Sequence, residues 1–258
     1  MSVLELPRRS YGRIRQAPGV AMDTSLPRDW GDRVLRNLRV HDAGFNRHVF
    51  VLSSATYNTE MYTDLVKKGY DLLGQRYSSH RESLRSGPYI QQLLKRLPKS
   101  STVLDVGCGP GIPVDDTLIK AGHQVIGIDN SPAQIAQARK HCPAGEYLVL
   151  DMQELRPNQY RAQAVVSLYS LFHVPRAQHA GLLATMSSYL PTGGMLLISM
   201  GDRAFEGPHH LMGVPLWSSQ FGTVKNSEMV TTAGFSILID EINVSGGERH
   251  QMILAEKV

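Results

Sequence analysis

With 258 residues, 42% of them hydrophobic and 19% charged, the chain has room for one well-buried α/β core and an accessory segment but not for two ordinary enzyme domains. No apolar run approaches the roughly 20 residues that cross a bilayer, so the composition points to a soluble protein with no membrane partner. The net charge of +4 is modest and its arginines gather at Arg8, Arg9, Arg13 and Arg15, which reads as a solvated leader and argues against a nucleic-acid partner.

The only cysteines, Cys108 and Cys142, form no CxxC pair and no Cys/His array at zinc spacing, which excludes a disulfide framework and predicts a reducing, cytoplasmic setting without a metal. The first residues lack the apolar core of a secretory signal, and Glu5, Pro7 and Pro18 argue against a helical presequence.

Residues 1 to about 28 carry Gly12, Gly19 and three prolines without lasting periodicity and read as irregular chain. Helical spacing begins with Trp30, Val34, Leu35 and Leu38 and returns at Tyr62, Leu65, Val66, Tyr70 and Leu73, which predicts two short amphipathic helices before the core. A third helix runs from Gly87 and Pro88 through Ile90, Leu93, Leu94 and Leu97 and stops at Pro98.

The pattern then alternates. Strands are predicted at 102–106, 124–128, 147–150, 164–169 and 195–200, with helices at 113–121, 132–141 and 175–189 between them. Strands alternating with helices mean a mostly parallel sheet covered on both faces. The last two strand-like runs, 235–244 and 249–258, flank Ser245-Gly246-Gly247-Glu248 and read as a hairpin that places an antiparallel strand near the sheet edge.

The most informative segment is Val103-Leu104-Asp105-Val106-Gly107-Cys108-Gly109-Pro110-Gly111, a buried strand entering three alternate glycines, with Pro113 set to open a helix. Glycine permits positive φ in a sharp turn and lets a ligand lie against the backbone. A triphosphate loop needs GxxxxGK and then Ser or Thr, which is missing. A dinucleotide loop needs GxGxxG, but Ile112 and Val114 occupy the sixth positions; this weakens the NAD reading without excluding it.

An acidic residue two before GxGxG resembles the first motif of the class I S-adenosylmethionine-dependent methyltransferases. Three further landmarks follow in the family's order: Ile128-Asp129, 22 residues after Gly107; Leu150-Asp151-Met152; and Ser167-Leu168-Tyr169-Ser170-Leu171-Phe172-His173-Val174, ahead of Leu190-Pro191-Thr192-Gly193-Gly194. The likeness covers about residues 70 to 258.

It implies a Rossmann-like, mostly parallel seven-stranded sheet with an antiparallel C-terminal hairpin strand, preceded by an N-terminal helical lid. The expected division is a leader and helical extension at 1–58 and a methyltransferase domain at 59–258.

The resemblance also implies a cofactor, S-adenosylmethionine, and its contacts. The backbone of Gly107, Cys108, Gly109 and Gly111 would pack on it, Asp105 would help hold the methionine ammonium, and Asp129, with Asn130 beside it, would accept from the ribose hydroxyls. Asp151 would meet the adenine amino group between Met152 and Ile135, while Tyr77 and Tyr169 would touch the cofactor. The family's frequent acidic residue before the fourth strand is replaced by Gln163, and its small residue after the second glycine by Pro110.

Several residues also admit structural readings. Asp129 suits helix capping as well as ribose binding, Asp151 could also be a loop acid, and Cys108 reads as a small packed residue rather than a nucleophile, since no histidine is fixed beside it. His173, at the C-terminal end of a central strand, is the candidate catalytic base, against a histidine buried under the next helix. Tyr57, Tyr62, Tyr70 and Tyr77 read as packing residues or lid contacts. His209 and His210, with Met212, Trp217 and Phe221, form an insert suited to line an apolar pocket.

No NPPY or DPPY follows the fourth strand, which argues against exocyclic amines of adenine or glutamine, so the expected acceptor is a small, partly apolar molecule methylated on O, N or C. The alternative is a protein of the same fold that binds S-adenosylmethionine or its demethylated product without transfer, as a regulatory module or a cyclisation scaffold.

Overall fold

The computed structural model describes residues 62–74, 76, 77, 80, 81 and 85–258; before these it describes only the backbone of four short strands and the start of the helix that begins at Thr59. The chain divides into two units, Met1–Tyr62 and Thr63–Val258. In the first, Val3–Leu6 pairs antiparallel with Arg15–Gln16 and with His48–Val51, which also pairs with His41–Asp42. These two- to four-residue pairings are too short to leave a period in the sequence. The helix expected at Trp30–Leu38, like Tyr57, lies outside the described residues.

Helix α1 (Thr59–Leu73) realises the second amphipathic stripe, burying Val66 and Leu73 and leaving Leu72 exposed. Helix α2 (Gly87–Leu94) opens with Pro88 in its first turn and buries Ile90 and Leu93. The alternation follows as β1 (Thr102–Val106), α3 (Val114–Lys120), β2 (Gln124–Asp129), α4 (Pro132–His141), β3 (Glu146–Val149), β4 (Ala164–Ser167), α5 (Arg176–Ser187) and β5 (Met195–Gly201). Ser131 caps α4 by accepting from the Gln134 N–H, and Pro132 fills its first position, the arrangement the sequence predicts.

Two elements were not legible beforehand. The insert at 205–220 is a hairpin, β6 (Phe205–Leu211) and β7 (Val214–Gln220), turned by Met212 and Gly213. Both turn residues are left-handed (φ 53° and 80°), as a two-residue hairpin turn of the primed type requires, but methionine hides the usual Asn-Gly or Asp-Gly signal. Helix α6 (Thr223–Thr232) buries only Asn226, Met229 and Val230, and its three β-branched threonines mask a helix in the sequence. Strands β8 (Phe235–Asn243) and β9 (His250–Lys257) form the expected C-terminal hairpin.

The seven-stranded sheet has the order β8-β9-β5-β4-β1-β2-β3, parallel except for β9, which runs antiparallel to β5 and β8. Side chains alternate across it. Leu104 and Val106 join the core under α5 and α6, while Val103 joins the one under α2 and α3. The chain proceeds outward from β1 to β3 and then returns to the other side of β1 as β4. The β1/β4 boundary is therefore a topological switch point, and a crevice opens at the carboxyl ends of these two strands.

Candidate active site

At the end of β1, Gly107, Gly109 and Gly111 all have positive φ (79°, 55° and 77°). A Cβ at Gly107 would lie 2.3 Å from Cβ of Ser170, so only glycine lets the β1 turn pass the β4 turn. Ser167 and Ser170 lock that approach: each hydroxyl donates to the Val106 carbonyl at 3.0 Å, and the two oxygens are 2.8 Å apart.

The carboxylate of Asp129 straps the neighbouring turns together. Its Oδ2 accepts from Gly109 N and its Oδ1 from Ser131 N, both at 2.9 Å. Burial raises its pKa to about 6 against the lowering effect of these two bonds. Each oxygen retains a further lone pair, so a loop-bracing role and a ligand role are compatible. Asp151 is also tied to its own turn, accepting from Gln153 N at 2.9 Å.

A cleft over the β1/β4 switch point is lined by Tyr77, Gly107, Gly109, Asp129, Asn130, Asp151, Met152, Tyr169 and His173, nine of the residues singled out in the sequence. Helix α1 contributes Thr63, Val66 and Tyr70 to the same cleft. The lid is fastened at both ends, by Gln153 Nε2 donating to Thr63 Oγ1 at 3.0 Å and by the Ser131 hydroxyl donating to the Asp71 carboxylate.

The other four sequence candidates lie outside the lining. Ile135 is fully buried with Cys108, Ala138, Cys142 and Tyr147, and so packs behind the loop. Burial, then the nearby carboxylates, push the Cys108 thiol well up, which suits a packed residue and not a nucleophile. Gly111 backs onto Asp115 and Cys142, each 3.3 Å from where its Cβ would stand. Asp105 sits under the loop, its carboxyl raised by burial beside Asp115, with Oδ2 lacking a hydrogen-bond partner among the described residues.

A second cavity of about 480 Å³, a size suited to a small organic molecule, adjoins the cleft; Tyr70, Tyr77, Tyr169 and His173 line both. The hairpin β6–β7 forms one wall and the turn before β9 another. The apolar lining expected of the insert is corrected here. Strand alternation turns Leu216, Ser218 and Gln220 toward the cavity, but Met212, Trp217 and Phe221 do not line it. Five histidines do: His80, His173, His209, His210 and His250.

Glu248 is clamped between two of them, 2.9 Å from His80 Nε2 and 2.7 Å from His250 Nε2. Burial raises its pKa, but the hydrogen bonds from His250 and His80 outweigh that and hold it down at about 2. His209 Nε2 lies 2.8 Å from Ser218 Oγ. Among the described residues no group of His, Cys, Asp or Glu is arranged to hold a metal ion.

At the junction of the two cavities, His173 Nδ1 is 2.7 Å from the Trp217 carbonyl oxygen and Nε2 is 2.7 Å from the Tyr70 hydroxyl. Burial lowers its pKa to about 4. Tyr169 holds a left-handed φ of 59°, uncommon for a bulky residue, with the Arg81 guanidinium 4.5 Å above its ring. Sequence reasoning took Tyr70 for a packing or lid residue and missed His80, Glu248 and His250. Tyr70 and Tyr77 carry the faint signal of two aromatics seven apart at the lid, whereas His80 and Glu248 meet across 168 residues and leave none.

Residues 103–194 match the profile of a methyltransferase domain. A trans-aconitate 2-methyltransferase of Variovorax paradoxus is 34% identical over 137 residues, 51% of this chain and 51% of that protein. The chain spans about half the length of the curated relatives it matches.

Among solved structures, 1,6-didemethyltoxoflavin-N1-methyltransferase of Burkholderia thailandensis, with 1,6-didemethyltoxoflavin and S-adenosylhomocysteine bound, aligns at a TM-score of 0.63. The alignment covers 85% of this chain and 99% of that one, at 16% identity. The 4+2 cyclase SpnF aligns at 0.58 over 74% and 95%, at 17% identity. At such identities the likeness is one of fold. The matched profile, the similar relatives and the sheet order agree in one respect: residues 103–194 are similar to a methyltransferase domain, and they lie in a Rossmann-like sheet of seven strands.

Proposed function

We propose that this protein transfers the methyl group of S-adenosylmethionine to a small molecule by in-line displacement. The observation that carries the reading is the pair of adjoining cavities at the β1/β4 switch point, which share Tyr70, Tyr77, Tyr169 and His173. One holds the glycine turn and Asp129; the other has the volume of a small acceptor.

The residues present fit the cofactor. A Cβ at Gly109 would stand in the cleft against Tyr77 at 3.6 Å, and beneath the turn the buried Asp105 carboxyl, paired with that of Asp115, keeps an oxygen without a close donor among the described residues. In this reading Asp129 accepts from the ribose hydroxyls, Asp151 and Met152 flank the adenine, and Asp105 serves the methionine ammonium through the turn. Ile135 and Cys108 support the loop from behind. When bound, S-adenosylmethionine supplies a methyl group already activated on a sulfonium. The chain's own task is alignment and exclusion of water, and proximity alone is worth roughly 7 to 11 kcal/mol of the barrier.

The second reading is binding without transfer, favoured by one observation: no nitrogen of His173 is free to act directly on an acceptor. The fold accommodates such chemistry, since SpnF is a cyclase. Calorimetric titration with S-adenosylmethionine and S-adenosylhomocysteine, with NADH as control, tests the cofactor. Micromolar affinity for the adenosyl ligands and none for NADH is expected; absence of adenosyl binding would remove the basis of both readings. Release of S-adenosylhomocysteine in proportion to methylated product separates transfer from binding alone.

The described residues include no helix long and apolar enough to cross a membrane. The division at 58/59, a cytoplasmic location and the lack of a nucleic-acid partner belong to this same reading.

A further inference from the structure

The hydrogen bonds of His173 fix where its proton sits. Nδ1 faces the Trp217 carbonyl oxygen at 2.7 Å, and a carbonyl offers only lone pairs, so Nδ1 carries the hydrogen. In the neutral ring Nε2 is then an acceptor, and the Tyr70 hydroxyl 2.7 Å away donates to it. Two consequences follow. His173 has no nitrogen left for an acceptor molecule, and Tyr70, whose hydrogen is committed to His173 and whose oxygen also meets the Tyr77 hydroxyl, keeps one lone pair. Tyr70 lines both the donor cleft and the larger cavity.

Resting on the methyl-transfer reading, we infer that Tyr70 Oη, backed by His173 Nε2, is the group that takes the acceptor's proton, and that the acceptor is a hydroxyl, not a carboxylate. A carboxylate brought to Tyr70 would set lone pair against lone pair, whereas an O–H donates to it and turns its own lone pair toward the methyl group.

The step balances. The acceptor's lone pair forms the bond to the methyl carbon as the carbon–sulfur bond breaks, and that bond's electrons stay on sulfur as a neutral thioether. The acceptor's proton passes to Tyr70 Oη while Tyr70's own proton passes to His173 Nε2, so the charge lost by the sulfonium appears on the imidazolium.

Burial, then Tyr77, raises the Tyr70 phenol well above its ordinary range, so Tyr70 does not rest as a phenolate; its proton leaves only as another arrives. A ring as weakly basic as His173 suffices, because an oxygen that has just gained a methyl while keeping its hydrogen is a strong acid. The device draws on three separate pieces of chain: Tyr70 from α1, His173 after β4, and Trp217 from β7. His173 is thus a positioning residue and proton terminus, and Tyr70 is the catalytic one.

The test has two arms. In the full chain labelled with 15N-histidine at pH 7, His173 is expected to show Nδ1 protonated and Nε2 bare. Y70F should shift the Nε2 resonance. An Nε2–H tautomer, or an unmoved Nε2 resonance in Y70F, overturns the assignment.

The second arm measures S-adenosylhomocysteine release with 4-methylphenol as hydroxyl probe and trans-aconitate as carboxylate probe. Turnover of the phenol is expected to fall roughly 100-fold in Y70F and in H173Q alike, with KM little changed and the double variant no worse than either single one. Methylation of trans-aconitate alone, at the same rate in wild type and Y70F, overturns it. Failure of the wild type to bind S-adenosylmethionine would count against the methyltransferase reading and would leave the tautomer result standing.

Discussion

The two cavities are built in different ways. The donor cleft is a backbone construction. Glycines with positive φ, two serines bonded to one carbonyl and an aspartate strapping two turns all lie within residues 106–170, inside the segment that matches the methyltransferase profile. The acceptor cavity is made of side chains drawn from residues 70 to 250, and its hairpin and final turn lie beyond that segment. A backbone cradle tolerates little substitution and serves one ligand. A wall of histidines on a hairpin can be rewritten without disturbing the sheet. The cradle lies within the segment similar to a methyltransferase domain, and the histidine wall on the hairpin lies outside it.

Substitution in the backbone cradle should break the comparison most severely. Gly107→Ala combines a left-handed φ with a Cβ 2.3 Å from Ser170 Cβ, and is expected to cost about 3 kcal/mol or more of stability and to abolish binding of S-adenosylmethionine. Denaturant unfolding with titration checks this; a variant of normal stability and affinity would show that the cradle is not constrained as described.

An effect of similar size is expected at the junction from pH. The neutral His173 ring contributes stability that is fully present above the unfolded pKa of about 6.5 and is lost as pH falls through about 4. At 1.4 kcal/mol per unit, wild type should lose about 3 kcal/mol relative to His173→Gln across that window. A difference in unfolding free energy that stays constant from pH 7 to 4 would mean the ring is not held neutral.

Asp129→Ala should weaken donor binding by roughly 2 to 3 kcal/mol, with Asp129→Asn falling in between, since the amide keeps one acceptor. Unchanged affinity in folded Asp129→Ala would reduce this residue to a loop brace. The smallest donor effect belongs to the acceptor wall. Glu248→Gln loses the charge between His80 and His250, at a cost of about 1 kcal/mol of stability, but leaves affinity for S-adenosylmethionine within twofold. A tenfold change in that affinity would show that the cavities are coupled rather than merely adjacent.

Local sequence determined most of the donor half. The runs at Thr102–Val106 and Pro132–His141 are elements to the residue, because a buried parallel strand and a capped helix carry their patterns within a few neighbours. The glycine turn and Asp129 were legible for the same reason: φ requirements and capping chemistry are local. The hairpin β6–β7 and helix α6 were hidden, the one by a turn built on methionine and the other by β-branched residues at surface positions.

The sequence by itself therefore determined the order of strands and helices and the glycine turn after β1. Only the tertiary structure decided which side chains share the larger cavity, because Tyr70, His173 and the Trp217 carbonyl, or His80, Glu248 and His250, meet only when folding closes long stretches of chain. Hydrogen bonds reach about 3 Å in space and have no period along the chain, so no spacing announces them.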